Sequence, residues 1–277
     1  LDAAGYDIDV GGTVESQDVV DLNGGTLTIT AGGGYFEVSD NLNGPVVIDH
    51  GGTTSLGDSL EATSVTVRNG TFELEGLDLI ATSLTVESGG TMELYGDESL
   101  PATIDMQSGS SAIYEGSGTI TGLVLGNTYA DLTLDGDTYI LDSVLSVDQD
   151  FTLDSGTLKA DGYGVQIGGD VYIGGTLIPG GNTVTLTGTS QELSGAVGTR
   201  SFHNLTMIEP GGTLNISGTI DFNVNGRLTL KGSSGNELTV DVMPVTGATD
   251  LSVGPDTLEY LNISNITVTG SSVDCVR

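Results

Sequence analysis

The stretch that begins at Ser64 as SVTVRNGTFELEG and continues to Gly96 as LDLIATSLTVESGGTMELYG contains one short unit twice. Residues 62–67 (ATSVTV) return nineteen residues later as residues 81–86 (ATSLTV), and each copy passes through a glycine turn into a second alternating run. Alternation of apolar and polar residues with a period of two is typical of a strand with one buried face. The stretch therefore predicts a strand–turn–strand unit that is repeated along the chain.

The repeat extends in both directions from this stretch. The segments IDM at 104–106 and AIYEG at 112–116 lie twenty residues after their counterparts, and VVI at 46–48 continues the period backwards. A unit of this length cannot bury an apolar face without neighbours, and no helical periodicity interrupts the pattern. We expect an all-β fold, a single-stranded parallel β-helix (β-solenoid) with about 19–20 residues per coil, which gives roughly fourteen coils.

The organisation of the chain follows from how regular this period is. We expect residues 1–277 to form one continuous β-solenoid, because no linker rich in proline or serine interrupts the pattern. Residues 1–42 are predicted to be N-terminal coils, 43–231 regular coils, and 232–277 less regular terminal coils or a cap. A longer echo relates residues 128–134 to residues 201–207, which indicates that several coils were copied as a block.

The charge balance excludes one class of partner and leaves three interpretations open. The chain has 38 Asp and Glu against 6 Lys and Arg, a formal net charge of -32. Nucleic-acid binding requires clustered cations, so we do not expect it. The acidic residues indicate a solvated extracellular surface, adaptation to high salt, or Ca²⁺ held between close carboxylates. Asp7 with Asp9, or Asp135 with Asp137, are the candidate Ca²⁺ ligands; no other cofactor is expected.

Two kinds of residue are candidates for covalent modification. Cys275 is the only cysteine of the chain, so a disulfide would have to be intermolecular. Five N-x-S/T sequons offer candidate glycosylation sites. They are Asn69, Asn204, Asn215, Asn262 and Asn265. No apolar run is long enough to predict a membrane span.

The residues that could perform catalysis are scattered. His50 and His203 are the only histidines, and neither has the neighbours of a metal site; we expect a turn histidine and a strand-surface histidine. The six cations are dispersed, and tryptophan, a common platform for sugar rings, is absent. We therefore expect that the protein is not an enzyme.

The second half of the chain resembles a known class of repeat. Its segments VTLTGTSQELSG at 184–195, FHNLTM at 202–207 and GTLNISGT at 212–219 resemble the repeats of adhesin-like β-helix proteins of bacterial and archaeal cell surfaces. Filamentous-haemagglutinin and autotransporter-passenger rods share that architecture. The resemblance implies a right-handed parallel β-helix, an extracellular or cell-surface location, and a role in adhesion or structural assembly.

These observations together predict an extracellular structural protein. It would be a β-helical rod in a surface layer, sheath, filament or adhesin stalk, and it would associate through its end coils with copies of itself or with neighbouring surface proteins. Cys275 could lock such a contact. The alternative is a polysaccharide-binding or polysaccharide-cleaving β-helix like a tailspike or lyase, because parallel β-helices also include such proteins.

Overall fold

The computed structural model describes residues 2–38, 41–217, 220–243, 250–253, 257–264, 267–270 and 275–276. The chain divides into two compact units, Leu1–Asp131 and Leu132–Arg277. All regular elements in the described part of the chain are β-strands.

The strands that begin in the first unit are β1 Ile8–Val10, β2 Val14–Ser16, β3 Val20–Asp21, β4 Leu27–Ile29, β5 Gly34–Val38, β6 Leu42–Asn43, β7 Pro45–Leu56, β8 Leu60–Glu61, β9 Ser64–Glu73, β10 Leu79–Ile80, β11 Leu84–Val86, β12 Gly90–Leu94, β13 Ile104–Met106, β14 Ser111–Tyr114, β15 Thr119–Thr121, β16 Thr128–Tyr129 and β17 Asp131–Leu134.

The remaining strands are β18 Thr138–Ile140, β19 Leu145–Val147, β20 Phe151–Leu153, β21 Thr157–Lys159, β22 Val165–Ile167, β23 Val171–Ile173, β24 Thr176–Ile178, β25 Thr183–Leu186, β26 Ser190–Gly195, β27 Gly198–Phe202, β28 Asn204–Ile208, β29 Thr213–Ser217, β30 Ile220–Val224, β31 Leu228–Lys231, β32 Leu238–Met243, β33 Asp250–Val253, β34 Thr257–Glu259, β35 Leu261–Ser264, β36 Thr267–Gly270 and β37 Cys275–Val276.

The first unit is a stack of parallel coils. One ladder runs through β1, β4, β7, β9, β11 and β13, and a second runs through β2, β5, β7, β9, β12 and β14. In the first ladder Val46 pairs with Val65, and Val65 with Leu84, so the coils repeat every 19 residues there. The prediction of an all-β parallel β-solenoid is confirmed.

The second unit has three parallel ladders. They run through β20, β23, β26 and β29, through β18, β21 and β24, and through β19, β22, β25 and β28. Each coil therefore contributes one strand to each ladder. The interpretation of residues 1–277 as one continuous solenoid stays a prediction, as does the right-handed sense.

The period lengthens in the second unit, which changes two of the numerical predictions. Phe151 pairs with Val171 and Val171 pairs with Leu193, whereas Thr213 pairs with Thr239, so the spacing grows from 20 to 22 and then to 26 residues. The prediction of regular coils over 43–231 is therefore wrong beyond about residue 190. Because longer corners take up residues, the two units contain about 12 turns rather than the fourteen expected.

The core of each unit is built from the inward-facing residues of the ladders. In the first unit Val46, Val65 and Leu84 share one register position on neighbouring strands, and each is 0% exposed. Burial of such a side chain contributes about 1.5–3 kcal/mol. In the second unit Phe202 and Phe222 pack with ring centroids 5.8 Å apart. Stacking therefore supplies the burial that no single coil could achieve.

The longer sequence echo does not correspond to equivalent positions. Leu132 lies in β17 and pairs with Phe151 of β20, whereas its counterpart Leu205 lies in β28 and pairs with Val184 of β25. These strands belong to different ladders. The interpretation of a copied block is therefore wrong at the level of the fold, because the same short alternating text fits either ladder.

Candidate functional site

A hollow lined by four glutamates lies on the outer face of the first unit. Glu73 of β9 and Glu93 of β12 are direct register partners, and Glu75 and Glu115 follow the ends of β9 and β14. Together with Tyr95 these carboxylates surround about 80 Å³ of space. Stacking of three coils brings them together, because each side chain occupies an outward position near the same corner.

Hydrogen bonds organise the rim of this hollow. The Tyr95 hydroxyl donates to Glu75 Oε2 at 2.9 Å, and Ser55 Oγ donates to Glu73 Oε2. The hydrogen bond to Glu75 is the main reason that the pKa of Tyr95 is raised, with the charge of Glu75 second. Phenol and carboxylate on successive coils are therefore held against one another.

Glu93 occupies the most perturbed position in the hollow. Burial raises its pKa from 4.5 to about 7, and the charges of Glu115, Glu73 and Glu75 and a hydrogen bond with Glu115 raise it further. A carboxyl group with such a pKa retains its proton over much of the acidic range. The hollow can therefore hold a proton between Glu93 and Glu115 while its other carboxylates are ionised.

A buried carboxylate fixes the corner beside the hollow. Glu98 is 4% exposed, and its two oxygens accept the backbone N–H groups of Tyr95 and Gly96 at 2.6 Å each. Bonds from backbone amides to an ionised acceptor are among the stronger hydrogen bonds in proteins. Glu98 therefore positions the backbone from which Tyr95 projects.

Sequence reasoning missed this hollow, although a signal was present. Glu73 and Glu93 occupy equivalent places in the two copies of the opening repeat, so aligning the copies pairs them. Glu115 lies at the end of the next copy. The elevated pKa of Glu93 could not be derived in the same way, because it depends on burial and on the side-chain contact with Glu115.

The two predicted histidine positions differ from the structure. His50 lies within β7, where the register is irregular between Asp49 and Thr53, and it is buried. Its Nδ1 accepts the Gly52 N–H at 3.0 Å and its Nε2 is 2.7 Å from Thr54 Oγ1. Burial lowers the pKa of His50, against a smaller opposing effect of the Asp49 charge.

His203 is not on a strand either. It lies at the bend between β27 and β28 and is half-buried. Its carbonyl oxygen accepts the Gly226 N–H at 2.6 Å. The two histidines lie in different units, so the structure does not bring them into one described site.

The aspartates proposed for calcium have protein partners. Asp7 Oδ1 accepts the Thr26 N–H at 2.8 Å, and Asp135 Oδ1 accepts a hydrogen bond from Ser155 Oγ at 2.6 Å. In the described residues no group of three or more His, Cys, Asp or Glu is arranged to hold a metal ion. Calcium binding by Asp7 with Asp9 or Asp135 with Asp137 stays a prediction.

The sequons lie on separate coils. Asn69 and Asn262 are exposed on β9 and β35, and Asn215 is half-buried on β29. Asn204 Oδ1 accepts the Arg227 N–H at 2.8 Å, so modification of that amide would disturb a corner contact. Asn265 lies outside the described residues.

Cys275 is placed by its backbone alone. It begins β37, which pairs with β34 through Leu258. An intermolecular disulfide at this residue stays a prediction.

Comparison with other proteins adds no assignment. No protein-family model, curated protein or solved structure matches the chain. Among the described residues, no helix is long and apolar enough to cross a membrane.

Proposed function

We propose that the protein is an extracellular structural protein that assembles by stacking its end coils on a partner, ordinarily another copy of itself. The observation that supports this is the burial of the inward face from coil to coil. Ile8 and Val10 of β1 are half-buried, whereas Leu27 and Ile29, their partners on β4, are 3% and 1% exposed. A strand added beside β1 would bury Ile8 and Val10 in the same way.

The backbone of β1 offers the hydrogen bonds for such a strand. Ile8 N–H donates to Thr26 at 2.8 Å and Val10 C=O accepts from Thr30 at 2.8 Å. In a parallel ladder, successive residues turn their backbone groups to opposite edges. The N–H and C=O of Asp9 therefore face away from β4, towards an incoming strand.

Assembly can be tested by replacing Asp9. Asp9→Pro removes the outward N–H without touching a bond to β4, and proline is tolerated at an edge whose N–H faces solvent. Asp9→Asn is the matched control, because it removes the same charge and keeps the N–H. Particle length by electron microscopy and sedimentation velocity over a wide concentration range would be the measurements.

We expect the parent protein and Asp9→Asn to form elongated particles and Asp9→Pro to stay shorter. A parent protein that is monomeric at every concentration would contradict the proposal. Equal assembly by Asp9→Pro would also contradict it, because contact through β1 would then be dispensable.

The polysaccharide alternative stays a prediction with its own readout. A hydrolase would release new reducing ends from a polysaccharide, and a lyase would release unsaturated ends. Turnover of this kind that is lost in Glu93→Gln would favour an enzyme over a purely structural role, since a protonated Glu93 is the group best suited to donate a proton.

A further inference from the structure

One ladder of the first unit stops at β13. The strands β4, β7, β9, β11 and β13 pair in order, but the chain that follows one coil later forms a turn instead of a strand. In that turn Gly126 N–H donates to Leu123 C=O at 2.8 Å. Within the described part of the chain, no strand pairs with the second edge of β13.

The backbone atoms on this edge can be identified. Leu84 N–H donates to Thr103 C=O at 3.0 Å and Gln107 N–H donates to Val86 C=O at 2.9 Å, so Thr103, Asp105 and Gln107 face β11. The N–H and C=O groups of Ile104 and Met106 point to the opposite edge. They have no hydrogen-bond partner among the residues that the structure describes.

A groove opens beside this edge, entirely within the first unit. It has a volume of about 280 Å³ and is lined by β13 and by residues 125–128. Ile104 and Met106 are half-buried there, whereas their partners Leu84 and Val86 are 0% exposed beneath them. Opposite β13, the buried Oδ1 of Asn127 has no hydrogen-bond partner.

A pair of buried tyrosines holds the groove open. The Tyr114 hydroxyl accepts the Leu125 N–H at 3.0 Å, and the Tyr129 hydroxyl donates to Gly126 C=O at 2.6 Å. The two hydroxyl oxygens are 2.9 Å apart. Because these bonds fix the turn at Leu125 and Gly126, the turn cannot move onto β13 without breaking them.

The charge beside the groove favours a cationic occupant. Asp105, on the outer face of β13, is exposed, and its neighbour Gln107 donates to it only at 3.3 Å. Elsewhere on this side of the unit, Arg68 bridges Asp49 and Glu87 from coils on either side, at 3.2 Å each. A cation on a strand above β13 could contact Asp105 in the same manner, and the net charge of -32 attracts cationic segments generally.

We propose that β13 is an acceptor for an extended peptide of a partner protein, one that alternates apolar and basic residues and adds to β13 as a parallel strand. Its apolar side chains would cover Ile104 and Met106, and its basic side chain would pair with Asp105. Its backbone would bond to Ile104 and Met106. This site is separate from the assembly contact at β1 and does not depend on it.

The test uses a fluorescein-labelled heptapeptide of alternating valine and lysine, and the full chain. Saturable binding by fluorescence anisotropy is expected, together with slower amide exchange at Ile104 and Met106 in NMR spectra. A peptide methylated on alternate backbone nitrogens, in each of the two phases, tests the hydrogen bonds, and a valine–glutamate peptide tests the charge. Methylation in one phase only and glutamate are each expected to weaken binding at least about fivefold.

Two substitutions locate the site. Met106→Pro removes an edge N–H that no described residue uses, with Met106→Leu as the control that retains it. Asp105→Lys reverses the outer charge and serves if Met106→Pro fails to fold by circular dichroism. Both are expected to weaken valine–lysine binding at least about fivefold, while Met106→Leu binds like the parent.

Several results would overturn the proposal. They are the absence of binding, equal binding to the two substituted chains and the parent, or unchanged exchange at Ile104 and Met106. Binding that follows peptide charge but not backbone methylation would show general attraction to an acidic surface. Asp9→Pro is expected to bind the peptide normally, which separates this site from assembly through β1.

Discussion

At the scale of single residues, the carboxylate of Glu98 is the polar group with the clearest structural role. Its two oxygens accept the N–H groups of Tyr95 and Gly96 while the side chain is nearly inaccessible. A glutamine has one acceptor oxygen and would turn its NH₂ group towards one of these donors. The corner beside the glutamate hollow therefore depends on an ionised acceptor.

We predict that Glu98→Gln lowers the free energy of unfolding by about 1.5–3 kcal/mol, since it removes one charge-assisted bond and leaves a buried N–H unsatisfied. Urea titration followed by circular dichroism measures the change. Asp97→Asn is the control, because Asp97 is the exposed neighbour and loses the same charge. Equal stability of Glu98→Gln and the parent would show that the corner does not need the carboxylate.

Glu93 gives a prediction whose sign depends on pH. Its pKa in the folded protein is about 7, above the ordinary 4.5, so the folded state binds more protons than the unfolded state between these values. The contribution of Glu93 to stability is therefore largest at low pH and is lost as pH rises through 7. Above that pH, an ionised Glu93 faces its neighbours as a like charge.

We expect Glu93→Gln to match the parent in melting temperature near pH 4.5, where Glu93 is protonated, and to melt about 3 °C higher at pH 8. Glutamine is similar in shape to the protonated acid and can still donate to Glu115. Glu192→Gln, on β26 of the second unit, is the control whose difference from the parent is expected to stay constant with pH. A constant difference for Glu93→Gln as well would contradict the prediction.

At the scale of elements, the corners limit which residues a coil accepts. A Cβ on Gly116 would lie 1.9 Å from the Tyr95 carbonyl oxygen and 2.5 Å from Ile120 Cδ1. The first of these neighbours is backbone and cannot rotate away. A Cβ on Gly51 would meet nothing within 4 Å, although Gly51 also lies at a corner of the first unit.

Gly116→Ala is accordingly expected to lower the free energy of unfolding by about 3 kcal/mol, because the coil must shift to admit the methyl group. For Gly51→Ala we expect a change within about 0.5 kcal/mol. Urea titration of both variants compares them directly. If the two substitutions cost the same, close packing between coils would not be what selects glycine at residue 116.

The same scale shows how much of the fold the sequence could predict. The ladder through Val46, Val65 and Leu84 follows from alternation repeated every 19 residues, because only one register buries every inward side chain. The corner between β29 and β32 could not be predicted, since added residues in a loop leave the alternation on either side unchanged. For the same reason Leu132 and Leu205 look equivalent in sequence and lie in different ladders.

The sites were less predictable than the ladders. The two edges on which the proposals rest depend on which backbone groups face outward and on how deeply Ile8, Ile104 and Met106 are buried. Residues 104–106 fit the repeat as well as their counterparts do, and nothing in them signals that the next coil withdraws into a turn. That turn depends on the contacts of Tyr114 and Tyr129, which are fifteen positions apart.

At the scale of the whole molecule, the excess of carboxylates sets how stability responds to salt. With a formal net charge of -32, folding into compact units brings like charges together, and dissolved salt screens their repulsion. Only scattered ion pairs oppose this effect in the described residues, such as Lys231 with Glu259 at 2.6 Å. Exposed pairs of this kind contribute about 0–1 kcal/mol each.

We therefore predict that the melting temperature at pH 7 rises steadily as NaCl is added from low ionic strength, measured by calorimetry at fixed buffer concentration. Near pH 4 many carboxylates are protonated, so the same titration is the control and is expected to show a much smaller rise. Calcium chloride at matched ionic strength tests Asp7 with Asp9 and Asp135 with Asp137, because a specifically bound ion raises the melting temperature beyond screening. A melting temperature that falls with NaCl at pH 7 would mean that favourable ion pairs, rather than repulsion among the carboxylates, dominate the electrostatics of the folded chain.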